Sequence, residues 1–128
     1  MLSSMNLRVA GASMAVLALL GASLAFAAPA PPAKGDATKG GAMFKVKCIA
    51  CHKVDGTGGV KLTGNPTPNW KDPKTWADPK RKNMDAYLRD CITNGKAPSG
   101  MVAWGKTGQI KPAEIENLIA YIHVLAKR

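Results

Sequence analysis

Histidine and cysteine are scarce in this chain, two and three respectively among 128 residues. Three of those five side chains fall in one pentapeptide, Cys48-Ile49-Ala50-Cys51-His52, which leaves only Cys91 and His123 as soft ligands elsewhere. A zinc site built on a Cys-x-x-Cys pair needs further ligands at metal spacing, and the second pair is missing. A redox dithiol of the thioredoxin kind calls for a βαβ setting, and the flanking sequence offers none. Acids are also few, eight against eighteen lysines and arginines, for a formal net charge of +10. The seven aromatics are not interleaved with the basic residues, so a nucleic-acid surface has no support. No segment sustains a period of two and no repeat recurs, which excludes a sheet architecture and leaves one all-α domain.

The pentapeptide itself is the C-x-x-C-H sequence of covalent haem attachment. Two thiols add across the two porphyrin vinyl groups, and the two residues between them let both sulfurs meet one edge of a flat ring. An imidazole directly after the second thiol reaches the iron. The expected cofactor is one haem c, with Cys48 and Cys51 as its thioether positions and His52 as the proximal iron ligand.

Residues 1–27 read as an export signal. Arg8 supplies the positive charge, Val9 to Phe26 is an uncharged apolar run, and Ala25-Phe26-Ala27 fits the small-x-small cleavage rule. The run approaches the roughly 20 residues of a membrane span, so an uncleaved anchor is the alternative, although Gly11, Ser13, Gly21 and Ser23 dilute it. Either way the remainder is expected outside the cytoplasm, in the periplasm of a bacterium. Residues 28–35 form a Pro/Ala-rich spacer and residues 36–128 the domain. About 90 residues make a marginal core, which a buried porphyrin would complete. For an exported domain of this charge, acidic protein partners come first and weak association with an anionic membrane surface second.

Helical punctuation dominates this part of the chain. Asp36 is placed to cap a helix from Ala37 towards Cys48, with Gly40, Met43, Phe44 and Lys47 at helical spacing. Glycines and prolines from Lys53 to Pro79 break any long element. A second helix is expected over Asn83–Thr93, with Met84, Tyr87, Leu88, Cys91 and Ile92 on one face and Gly95 ending it. Lys96 to Gly108 reads as irregular. The last helix has Pro112 in its first turn, Glu114 and Glu116 near its positive end, Lys127 and Arg128 at its negative end, and a stripe from Ile115 to Leu125.

One histidine leaves an axial position on the iron, and its occupant decides the function: methionine there raises the potential and closes the site to outside ligands. Met43 and Met84 fit helix faces, where core packing is the ordinary explanation. Met101 lies instead in a glycine- and proline-shaped loop, Asn94 to Gly105, with no periodic reason to hold it.

Over residues 35 to 127 the chain resembles a class I c-type cytochrome. Gly35-Asp36, Gly40, Phe44 and the haem motif are similar to the family's N-terminal helix, and Leu118-Ile119-Ala120-Tyr121-Ile122 to its C-terminal helix. The resemblance implies that the two helices pack crosswise, Gly40 and Phe44 against Leu118 and Tyr121. It also implies that Met101 is the distal iron ligand, although Val102 stands where the family usually has proline. In the family the outward imidazole nitrogen donates to a proline carbonyl after the motif. Pro68, in Pro68-Asn69-Trp70, takes that role by resemblance, with Pro66 as the fallback. Trp70, Trp104 and Tyr87 are then expected in the haem pocket. Cys91, a third thiol, is expected as a buried small hydrophobe or else an intermolecular site, and His123 has no ligand role.

These readings describe a monohaem, monomeric electron carrier rather than an enzyme, passing single electrons between acidic redox proteins such as a dehydrogenase, a cytochrome complex or a terminal oxidase. Lys47, Lys53, Lys61, Lys96 and Lys106 would ring the haem edge and steer those partners. Two alternatives stay open: a haem subunit of a larger periplasmic oxidoreductase, and a haem enzyme or gas sensor with an open distal site.

Overall fold

The computed structural model describes residues 34–128, so the expected signal and most of the spacer lie outside the described residues. Among the described residues there is no strand, only an isolated antiparallel bridge between Lys96 and Met101, and five helices: α1 (Ala37–Lys47), α2 (Ile49–His52), α3 (Pro73–Ala77), α4 (Met84–Asn94) and α5 (Pro112–Leu125). The all-α class is as expected. None of these helices is long and apolar enough to cross a membrane.

Local chemistry explains each start and stop. The Asp36 carboxylate accepts from the backbone N–H groups of Thr38 and Lys39, at 2.9 and 3.1 Å, satisfying donors that the first turn of α1 cannot pair. Asn83 does the same for α4 through the Ala86 N–H, so that helix begins at Met84, and Gly95 with φ 70° ends it. Pro112 opens α5, where the Glu114 carboxylate reaches back to the Lys111 N–H at 2.7 Å. The stretch read as broken by proline contains α3 and a 3-10 turn over Pro79–Arg81. Both follow an Asp-Pro pair: Asp72 and Asp78 accept from the N–H groups of Lys74 and Lys80. Proline here opens a helical turn, because the N–H it lacks would be unpaired at that position anyway.

α1 and α5 make the central contact of the fold. A Cβ at Gly40 would collide with the Asn117 carbonyl, so that position accepts only glycine at this spacing, and one at Gly41 would press on the Tyr121 ring. The expected crossing is present: Gly40 meets the backbone at Asn117 and Leu118, Phe44 meets Tyr121, and Gly41 adds a further contact with the Tyr121 ring. Phe44 then packs between Tyr121 and Trp70, with ring centroids 5.3 and 5.9 Å away. The Asn117 side chain also accepts from the Asp36 N–H at 2.7 Å.

α4 is held against α5 by a two-pronged ion pair. Arg89 donates from Nε to Glu116 Oε1 at 2.6 Å and from Nη2 to Oε2 at 2.8 Å, the fork geometry that suits guanidinium and carboxylate. His123 sits on the same seam, its Nε2 2.7 Å from Asp85 Oδ1. Leu88 and Ile92 of α4 complete the core with Ile115, Leu118, Ile119 and Ile122 of α5.

Candidate haem site

The three residues of the motif are set by one helical turn. His52 N–H donates to the Cys48 carbonyl at 2.9 Å and Cys51 N–H to the same oxygen at 3.3 Å. Cys51 and His52 thus stand three and four residues beyond Cys48, on one side of the turn. The following loop is clamped to it: Thr67 Oγ1 donates to the Cys51 carbonyl at 2.8 Å, and the Gly58 N–H donates to the His52 carbonyl at 3.2 Å. A Cβ at Gly58, whose φ is 57°, would run into the Pro68 carbonyl, so only glycine lets the loop close.

Beside this turn lies a cavity with two lobes. The inner lobe is almost wholly apolar, with Phe44, Leu88, Ile92, Leu118 and Ile122 behind Cys48, His52 and Met101. The outer lobe is wider and opens between Cys51, His52 and the segment from Gly95 to Val102. Met101 lines both lobes and is held by two hydrogen bonds exchanged with Lys96, at 3.0 and 3.1 Å. Gly100, at φ 77°, closes the 3-10 turn that precedes it. Thr63 Oγ1 ties the two loops together by donating to the Pro98 carbonyl at 2.9 Å.

His52 is the chemical centre of the cavity. Burial pushes its imidazole down to about 4, so the ring is neutral at physiological pH and keeps the lone pair a metal requires. The ring stacks on Trp70, centroids 4.6 Å apart and planes 12° apart. Nδ1 is buried with no hydrogen-bond partner, an arrangement native proteins rarely leave unexplained. The bond to the Pro68 carbonyl expected from the resemblance is therefore not made: that carbonyl is turned against Gly58, while stacking on Trp70 sets the ring plane. Burial also pushes the Cys48 thiol up to about 11, which keeps the free thiol protonated at neutral pH. A neutral imidazole and two thiols on one wall, a thioether on the loop of another and apolar side chains behind them fit a flat, mostly apolar, iron-bearing ring.

Cys48, His52, Pro68, Trp70, Tyr87 and Met101 come together around this cavity, and Cys51 and the fallback Pro66 line its outer lobe. Trp104 does not. Hydrogen bonds from the Gly105 and Lys106 N–H groups to the Ile92 and Thr93 carbonyls draw its segment along the end of α4, and its ring lies under the Lys47 ammonium, 5.1 Å away. Of the five lysines expected to ring the site, only Lys47 and Lys96 line the cavity. Lys53, Lys61 and Lys106 are exposed but are not among its lining residues. Cys91, 6% exposed, faces the inner lobe, and burial raises its thiol as well.

Two residues escaped the sequence reading. The Arg81 guanidinium and the Lys96 ammonium each lie 5.0 Å from the Tyr87 ring centre, and all three line the outer lobe. Arg81 sits in a short turn with no motif to flag it. Trp76, half-buried, donates from Nε1 to the Trp70 carbonyl at 2.6 Å; a second tryptophan six residues after Trp70 was the available signal.

The family model described as cytochrome c oxidase, cbb3-type, subunit III matches residues 35–122. Two curated proteins named cbb3-type cytochrome c oxidase subunit FixP are similar to the chain. The one from Bradyrhizobium sp. (strain ORS 278) is 36% identical over 93 residues, covering 70% of this chain and 28% of its own length. The one from Bradyrhizobium diazoefficiens is 34% identical over 96 residues, covering 74% of this chain and 30% of its own. The chain thus spans under a third of the length of these relatives. No solved structure matches it. With its helical fold, crossed terminal helices and C-x-x-C-H turn, the chain belongs to the cbb3-type cytochrome c oxidase subunit III family and is a class I c-type cytochrome domain, an electron-transport domain with covalently bound haem c.

Proposed function

We propose that this chain relays electrons one at a time as the haem-bearing part of a terminal oxidase assembly of the cbb3 type. The free shuttle expected from the sequence has less support, because both relatives are named as oxidase subunits. In this reading Cys48 and Cys51 hold the haem by thioether bonds, His52 is the proximal ligand and Met101 the distal one. The observation that carries it is the placement of His52 and Met101 on different elements lining one apolar cavity. When bound, the haem supplies a one-electron couple, its iron cycling between ferric and ferrous forms, and substrate turnover belongs to the rest of the assembly.

The chain's own residues orient and shield. Trp70 fixes the plane of the His52 ring, the Lys96 bridge fixes the backbone of Met101, and the inner lobe excludes water. With His52 and Met101 both holding the iron, no position would be left for peroxide, oxygen or carbon monoxide, which would separate the domain from a haem enzyme or gas sensor. Lys47, Arg81 and Lys96 give the mouth of the cavity a positive face for acidic redox partners.

The domain is further proposed to work on the periplasmic side, with residues 1–27 directing export or remaining as an anchor, residues 28–35 as spacer and 36–128 as the haem domain. Mass measurement of the mature protein distinguishes cleavage after Ala27 from a retained anchor. Optical spectra of both oxidation states test the ligands. Native electrophoresis of gently solubilised membranes from the source organism, stained for haem, tests the assembly. Co-migration with oxidase activity is expected; a haem band found only at the mass of the free chain would return the shuttle to first place.

A further inference from the structure

A second, open hollow shares only Trp70 with the haem cavity. Lys71, Lys127 and Arg128 line it together with Trp76, and no acidic residue does. Lys71 is partly answered by Asp55, 3.7 Å away; Lys127 and Arg128 have no carboxylate within ion-pair distance among the described residues. The Arg128 guanidinium lies 5.0 Å from the Trp76 ring, and the His123 ring 5.1 Å from it. The hollow is therefore a basic recess around a half-buried indole.

What distinguishes this recess from an ordinary basic patch is where its indole leads. Trp76 Nε1 donates to the Trp70 carbonyl at 2.6 Å, and the Trp70 ring stacks on His52 at 4.6 Å. A continuous run of covalent, hydrogen-bonded and stacked atoms thus joins the proximal imidazole to the surface. Electronic coupling falls steeply across empty gaps, and this run contains none wider than ring contact. We propose that the recess is a second electron port, at which an acidic segment of a redox protein docks against Trp76 and exchanges an electron with the haem through Trp70 and His52. This rests on the haem-relay reading above. The step moves one electron and nothing else: the iron goes from ferrous to ferric as the partner's one-electron acceptor is reduced, with no bond made or broken and no proton transferred.

Charge and shape select the occupant. Unanswered cations beside an aromatic ring favour carboxylates with an apolar or aromatic neighbour, and tryptophan with arginine is the pairing most often found at the energetic centre of protein interfaces. A concave recess takes protruding side chains, which a lipid headgroup plane does not offer. A relay must accept from one protein and deliver to another, and two ports on separate hollows let both be bound at once.

The test uses the haem-loaded chain and an oligoglutamate peptide carrying a ruthenium(II) tris-bipyridine label. On a light flash the excited label gives one electron to ferric haem and is left as ruthenium(III). Anisotropy of the label reads binding, and the haem spectrum at saturating peptide reads the transfer rate within the complex. Lys127→Glu, an exposed change, is expected to weaken binding about tenfold. Trp76→Leu is expected to slow transfer in the saturated complex, because the stacked and hydrogen-bonded run from Trp76 through Trp70 to His52 is then broken, with the optical spectrum and midpoint potential unchanged. An unaltered saturated rate in Trp76→Leu overturns the proposal. So does loss of binding in Lys47→Glu but not in Lys127→Glu, which would put the peptide at the cavity mouth. Phosphatidylserine vesicles that bind the chain through Lys127 when the peptide does not would assign the recess to a membrane and also overturn it. Failure of the haem reading looks different: the unmodified chain would then lack a thioether-haem spectrum altogether.

Discussion

The imidazole of His52 and the indole of Trp70 lie nearly parallel, 12° between planes, so one side chain sets the orientation of the other. Trp70 is 4% exposed and supports both the core and the imidazole plane. Trp70→Ala is expected to cost about 4 kcal/mol of stability, the usual range for emptying a large aromatic site. It should also broaden the electron paramagnetic resonance signal of the ferric haem as the imidazole gains freedom. Denaturant unfolding and low-temperature resonance spectra check the two effects separately.

Met101→Ala removes the thioether while leaving the Lys96 backbone bridge in place. The ferrous protein should then bind carbon monoxide promptly, the ferric protein should lose its weak methionine-to-iron band at the red edge of the spectrum, and the midpoint potential should fall. Carbon monoxide binding just as fast in the unsubstituted protein would remove Met101 from the iron.

The two glycines Gly40 and Gly108 should behave differently when changed to alanine. At Gly40 the new methyl meets the Asn117 carbonyl, forcing the crossed helices apart at a cost of about 3 kcal/mol. At Gly108 nothing lies within 4 Å but φ is 74°, so the cost is backbone strain alone, about 1 kcal/mol. Thermal unfolding resolves the pair, because 1 kcal/mol moves the midpoint of a domain this size by about 4–8 °C.

Arg89 and Glu116 make their two hydrogen bonds on a partly covered seam, with Glu116 16% exposed. The glutamate is expected to hold the guanidinium above its ordinary range. A double-mutant cycle with Arg89→Met and Glu116→Gln is expected to return a coupling of about 1–2 kcal/mol, more than exposed pairs give and reduced by the partial exposure of Arg89. High salt should shrink it only modestly.

Asp55 accepts from the Thr57 hydroxyl at 2.8 Å and from the Thr57 N–H at 3.1 Å, which holds its carboxyl below the ordinary value, helped by Lys71. A depressed folded-state value means that the stabilisation is complete above the unfolded value of 3.8 and fades as pH falls through the lower, folded one. Carboxyl chemical shifts against pH should place the Asp55 midpoint under 3.8 in the native chain and return it towards that value in Thr57→Val.

Features fixed by a few adjacent residues were legible in the sequence. The haem turn, the Asp36 and Asn83 ends of α1 and α4, the Gly40 crossing and the placing of Met101 in a loop all depend on local chemistry or on a spacing visible in the chain. Features that depend on how loops fold back were not. The Asp-Pro pairs at Asp72 and Asp78 look like breaks until their carboxylates are seen to cap the turns that follow. Trp104 is two residues from a cavity-lining Val102, yet two hydrogen bonds to the end of α4 carry it away. Arg81 reaches Tyr87 from the short 3-10 turn before α4, and the Trp76–Trp70 bond has no signature beyond two tryptophans six residues apart. The stacking of His52 on Trp70 and the lack of a His52–Pro68 hydrogen bond are likewise tertiary outcomes.

The Asp36–Asn117 hydrogen bond joins residues 81 positions apart, and it belongs to the contact that holds the first and last helices together. A contact of that span cannot form until nearly the whole domain is free of whatever is making or exporting it, and closing so long a loop is a slow step in folding. Cys48 ends α1, the helix that must wait, and Cys51 lies in the α2 turn directly after it. During that interval both thiols are carried on an undocked strand of chain, accessible to the machinery that modifies them. The order of events follows from the topology: α1 emerges well before α5 and cannot be locked in place until α5 arrives.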